Sequence, residues 1–165
     1  PMWATRKHSG FTIVELLIVV VVIGILAAIV IVAYNGITSS ANDAAVKSDL
    51  ANMAKKLEIE KVQSGSYPFP PTANTGIRIT KTAYYDSNNL YYCYNSATDE
   101  YAVQARTINN KFFKIVDGVV SEGAAATPHT YSGLGTCEIL GIVWDGTTGS
   151  LGYASTGQVW APWAQ

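Results

Sequence analysis

Residues 6–34 read Arg6-Lys7-His8-Ser9-Gly10-Phe11-Thr12-Ile13-Val14-Glu15-Leu16-Leu17-Ile18-Val19-Val20-Val21-Val22-Ile23-Gly24-Ile25-Leu26-Ala27-Ala28-Ile29-Val30-Ile31-Val32-Ala33-Tyr34. From Phe11 to Tyr34 the run holds 24 residues and a single charge, Glu15. At about 1.5 Å of rise per residue it predicts a helix about 36 Å long, enough to cross a hydrocarbon layer about 30 Å thick. Arg6 and Lys7 would hold its N-terminus on the cytoplasmic side of a single-pass membrane segment. A secretory signal has a shorter apolar region and a small-residue cleavage site, and this run is longer and leads straight into a further helix. An ordinary anchor explains the length but not Glu15, because a carboxylate inside a spanning helix costs about 2.5–3.5 kcal/mol unless it finds a partner.

Outward from this run the pattern changes. Ile37, Ala41, Ala44, Val46, Leu50, Met53 and Leu57 recur at helical spacing, predicting an amphipathic helix over 35–64. Asp43 with Lys47 and Lys56 with Glu60 are spaced as i,i+4 pairs for its wet faces. Gly65 suits a left-handed helix cap and Pro68 cannot continue the helix. Asn35-Gly36 is the expected weak point between the two halves, and Gly24 a second one.

Beyond Pro71 short runs rich in Tyr, Val, Ile and Phe predict strands at 77–82, 90–95, 101–108, 112–116, 119–121 and 139–144. Turn-forming groups separate them, including Asp86-Ser87-Asn88-Asn89, Asn109-Asn110 and Asp117-Gly118. The segments 123–135 and 145–157 read as loops, and Gln158 to Trp163 as a short edge strand stopped by proline. The expected class is α+β: a long N-terminal helix whose amphipathic half packs on a small antiparallel sheet.

The 165 residues suffice for one modest core. Losing the first ten residues would take the basic count from 11 to 9 against 12 acidic residues, and the net charge from −1 to −3. Such a chain has no general attraction for nucleic acid or anionic lipid. Arg78, Lys81, Arg106, Lys111 and Lys114 do lie among Tyr84, Tyr85, Tyr91, Tyr92 and Phe112. Tyrosines in strands serve sheet packing more often than base stacking, so nucleic acid is a minor reading as a direct ligand. The tryptophans Trp144, Trp160 and Trp163 are read as anchors of the C-terminal strand before a contact surface.

No metal-ligand spacing, cofactor motif or catalytic set stands out. The two cysteines, Cys93 and Cys137, would form one disulfide if this part is exported, with two buried thiols as the alternative. His129, the one histidine beyond the first ten residues, sits in a turn-like Thr-Pro-His-Thr. An enzyme is not expected.

The junction resembles that of the type IV pilins and the related pseudopilins of type II secretion and competence (DNA-uptake) systems. Their signature is a short basic leader ending in glycine, then Phe, Thr, two apolar residues, Glu and a long apolar run, matched here from Arg6 to Tyr34. The resemblance implies a leader over 1–10, a transmembrane and assembly helix over 11–34, and a β-rich head over 65–165. It implies cleavage between Gly10 and Phe11 by a prepilin peptidase and N-methylation of Phe11. It also implies that Glu15 meets the N-terminal amine of a neighbouring subunit. Gly10 gives a peptidase close access to the backbone.

The partners implied are identical or related pilin subunits, the peptidase and an assembly platform in the membrane. The product would be a type IV pilus-like filament, or a pseudopilin or minor pilin of a secretion or DNA-uptake system. Many pilins carry proline near the outer end of the apolar run, where this chain has Val32. Asn35-Gly36 is therefore the expected hinge.

Overall fold

The computed structural model describes residues 10–68, 77–85, 89–123, 137, 141–142 and 149–153. It contains one long helix, α1 (Ile13–Ser64), a 3-10 turn (Lys81–Ala83), and strands β1 (Leu90–Asn95), β2 (Glu100–Arg106), β3 (Phe112–Val116), β4 (Val119–Gly123) and β5 (Gly149–Tyr153). The fold is a long N-terminal helix and a small antiparallel sheet, as expected. The chain divides into two compact units, Pro1–Thr38 and Ser39–Gln165.

In the first unit the apolar side chains are all in contact with the surroundings, from 49% exposed at Val22 to 84% at Ile13. Here α1 is apolar on every side apart from Glu15 near its start and Asn35 and Thr38 near the unit's end, and it is the one described helix long and apolar enough to cross a membrane. Asn35-Gly36, the expected hinge, lies within α1, which is unbroken there. A single glycine costs only about 1 kcal/mol in a helix, which the flanking turns absorb.

In the second unit α1 buries one seam: Val46, Leu50, Met53, Ala54 and Leu57. These residues meet Leu90, Tyr92 and Tyr94 of β1, Tyr101, Val103 and Ala105 of β2, and Phe113 and Ile115 of β3 in one cluster. The seam is shorter than the sequence suggests, because Ile37, Ala41 and Ala44 are exposed. The helix ends as read: Gly65 sits at φ 88°, its N–H bonds the Lys61 carbonyl at 2.8 Å, and Ser64 Oγ donates to the Glu60 carbonyl at 2.7 Å.

The sheet order is β4-β3-β2-β1-β5, all pairs antiparallel. Strand β1 is buried at every position because both its faces are covered. Leu90, Tyr92 and Tyr94 face the main core. Tyr91 and Cys93 lie in a second cluster with Ala102, Cys137 and Ile142. A Cys93–Cys137 disulfide with Cα atoms 5.6 Å apart ties that second layer to the sheet. The Asp117-Gly118 turn joins β3 to β4 with both residues at positive φ, the two-residue hairpin geometry.

Several expectations change. Residues 77–82 form no strand: the Thr80 N–H donates to the Asp49 carboxylate at 2.6 Å, and a 3-10 turn follows. Strand β2 stops at Arg106, because Thr107 turns the chain and the Ile108 N–H bonds the Ala83 carbonyl at 2.8 Å. Strand β5 lies inside the Gly-rich stretch read as a loop, paired along β1 from Leu90↔Tyr153 to Tyr94↔Gly149. Main-chain pairing needs no particular side chains, so composition hid it. Asp43, assigned to a wet face with Lys47, is buried and paired with Lys111 instead. Lys47 lies over the Phe113 ring, 4.6 Å from its centroid. Of the strand expected at 139–144 only Gly141 and Ile142 are described, as a turn whose Ile142 N–H bonds the Cys137 carbonyl at 2.8 Å. Residues 1–9 of the expected leader (1–10), Asp86 to Asn88, His129 and the tryptophans Trp144, Trp160 and Trp163 lie outside the described residues.

Candidate processing and assembly site

Gly10 and Phe11 precede the helix and are exposed, Phe11 by 83%. A Cβ placed on Gly10 would meet nothing within 4 Å. Among the described residues, therefore, no packing contact requires glycine there.

Thr12 and Glu15 start α1 as a capping box. The Thr12 N–H and hydroxyl both donate to Glu15 Oε2, at 2.9 and 2.7 Å, and the Glu15 N–H donates to Thr12 Oγ1 at 3.3 Å. The Thr12 carbonyl accepts the Leu16 N–H at 3.3 Å. Two of the helix's orphan donors are thereby satisfied within one turn. The Thr-x-x-Glu spacing carried this signal in the sequence, and Thr12 is the site residue that reading for a transmembrane acid passed over.

All these atoms lie C-terminal to the Phe11 carbonyl, so the cap would survive a cut between Gly10 and Phe11. Glu15 Oε1 has no hydrogen bond among the described residues, which leaves one carboxylate oxygen for a group from outside. The carboxylate is held in direction by Thr12 while its second oxygen remains open.

The other candidate residues fall elsewhere. Cys93 and Cys137 are joined and serve the second unit. Tyr84, Tyr91, Tyr92 and Phe112 are buried in the sheet layers and present no free stacking platform. Arg106 stacks on Tyr85, 3.7 Å from its centroid, and donates to Asn110 Oδ1 at 2.7 Å, while Lys111 binds Asp43. The aromatic residues Tyr84, Tyr91, Tyr92 and Phe112 are thus taken up by the sheet layers, and of the basic residues Arg106 and Lys111 are engaged within the head. Among the described residues no group of three or more His, Cys, Asp or Glu could hold a metal ion.

A helix opened by Thr12 and Glu15, preceded by Gly10-Phe11 and exposed along its apolar length, resembles the N-terminal segment of prepilin- and pseudopilin-like chains. Residues 5–31 match the family described as the prokaryotic N-terminal methylation motif. The chain is similar to type II secretion system core protein G of Escherichia coli, 34% identical over 76 residues, 46% of this chain and 50% of that one. It is also similar to the core protein G of Pseudomonas aeruginosa, 36% identical over 63 residues, 38% of this chain and 44% of the relative. That of Vibrio cholerae is 33% identical over 63 residues, 38% and 43% of the two chains. The chain thus spans about half the length of the curated relatives it matches. No solved structure matches it.

Proposed function

We propose that the protein is a pseudopilin, a non-enzymatic subunit of a type II secretion-like filament. Its leader is removed after Gly10 by a prepilin peptidase, Phe11 becomes a methylated N-terminus, and Glu15 of one subunit receives the Phe11 amine of a neighbour. Before assembly the apolar half of α1 stores the subunit in the membrane. During assembly that half leaves lipid for contact with other helices, and the Glu15–amine pair sets the register, as a buried polar residue does in a coiled coil.

The observation that carries this reading is the pre-oriented Glu15 carboxylate, with one oxygen held by Thr12 and the other open, four residues beyond the expected new amine. The similarity to several core protein G chains favours a secretion pseudopilin over the subunit of a type IV pilus.

The test is N-terminal sequencing and intact mass of the protein from its native cell, in the parent and two variants. The parent is expected to start at methylated Phe11. Gly10→Leu should retain the leader. Glu15→Ala should be cut normally yet lose most filament yield. An uncut parent, or normal filaments from both variants, would overturn the proposal.

A further inference from the structure

Two separate places in the second unit present exposed charges of opposite sign. One is a groove of about 340 Å³ beside α1, lined by Asn52, Met53, Lys55, Lys56, Ile77 and Arg78. Met53 and Ile77 lie beneath it, 0% and 1% exposed, and among the described residues Asn52, Lys55, Lys56 and Arg78 complete the wall without an acid. Among the described residues Lys55 and Arg78 have no carboxylate partner.

The other place is the end of the sheet beside the C-terminus of α1. Asp99 fixes that position, pairing with Lys61 at 3.0 Å and accepting the Tyr67 N–H at 3.1 Å. The register Asn95↔Glu100 and Ala102↔Val116 puts Glu100 and the Asp117-Gly118 turn at this same end. Both acids are exposed. Glu100 accepts the Thr98 hydroxyl at 2.8 Å, and Asp117 has no cation partner among the described residues.

We infer that the Glu100 and Asp117 end of one subunit docks against the Lys55–Arg78 groove of a second copy of this chain. The inference rests on the filament reading above and names the head contact within it. Charges of opposite sign on two different patches attract across copies and fix their mutual register. The two patches differ, so the contact is heterologous; such a contact does not close on itself unless a rotation brings it into a ring, and it otherwise propagates into a filament.

The test uses the full chain in its native cell. Arg78→Cys and Glu100→Cys are expressed as separate copies, alone and together, and sheared filaments are treated with a short bismaleimide. Cross-linked dimers are expected from the mixture and not from either variant alone. In parallel, Arg78→Glu should cut filament yield at least tenfold, and adding Glu100→Lys to the same chain should restore most of it. Glu100 is chosen because Asp117 occupies a left-handed conformation (φ 48°) that lysine would strain.

Processed filaments that give no mixed cross-link would overturn the inference and leave the pseudopilin reading standing. Loss of yield in Arg78→Glu without rescue would overturn it too, and assign the groove to an anion from another partner or a lipid headgroup. Absence of filaments from the parent chain would remove the pseudopilin reading and this contact together.

Discussion

The two units of this chain solve opposite problems with the same helix. From Ile13 to Thr38, α1 exposes Val, Ile and Leu on every side and buries none of them within the chain. From Ser39 to Ser64 it is amphipathic and gives one seam to the sheet. Among the described residues the first unit has apolar surface and no partner, and its helix is long and apolar enough to cross a membrane. The second supplies its own partner and is a folding unit in the ordinary sense. Helix continuity does not imply a shared source of stability.

The largest expected effect that would break or sharpen this contrast comes from truncating one apolar side chain in each unit. Leu50 is fully buried in the seam, so Leu50→Ala should destabilise the head by about 2–5 kcal/mol. Ile25 is 57% exposed, so Ile25→Ala should leave thermal unfolding of the head in detergent unchanged. A comparable loss of stability from both would mean that the membrane-length segment packs on the head, and the division into two units would fall.

The next effect concerns what holds the second layer onto the sheet. The Cys93–Cys137 bond closes a loop with a sequence separation of 44. Removing it by the double change to serine should cost the head about 2–4 kcal/mol. Denaturant unfolding of the oxidised parent against the variant measures this, and filament yield follows it only if the head must stay folded for assembly. An unchanged midpoint would mean that Ile142 and its neighbours hold the layer without the bridge.

The legibility of each unit in the sequence follows from the same contrast. The first unit was readable because a long apolar run with one acid has few physical meanings, although Thr12 was missed by attending to the cost of Glu15 before its geometry. In the second unit the seam from Val46 to Leu57 and the cap at Gly65 were readable because they obey local periodicity. Three features were not. Asp43 and Asp49 look like solvent-facing acids in a helix, yet each is buried because a distant residue supplies its partner: Lys111 for Asp43 and Thr80 for Asp49. Strand β5 looks like a linker because its glycines give no burial pattern, and only the free edge of β1 recruits it. Residues 77–82 look like a strand because Ile77 and Ile79 alternate, but their backbone is claimed by Asp49.

The smallest expected effect lies in Asp43, which joins α1 to the turn between β2 and β3. Its carboxylate accepts bonds from Lys111 and from Asn109, the latter at 3.3 Å, and Asn109 also donates to the Ser39 carbonyl at 3.1 Å. Burial disfavours the charged carboxylate, but the bonds from Lys111 and Asn109 and the Lys111 charge outweigh it and hold the group below its ordinary value. A depressed carboxyl contributes stability that is fully present above its unfolded value, about 3.9, and is lost as pH falls through the lower folded value. Lys111 is half exposed, so solvent screens the pair and the contribution is modest. The head should therefore lose stability as pH falls from about 4 toward 2, and Lys111→Gln should flatten part of that slope while leaving the midpoint at pH 7 only slightly lower. The same acid slope in parent and variant would mean that Asn109 alone orients Asp43. The latch between the helix and the β2–β3 turn would then owe nothing to charge, and the second unit, like the first, would be held by apolar contact.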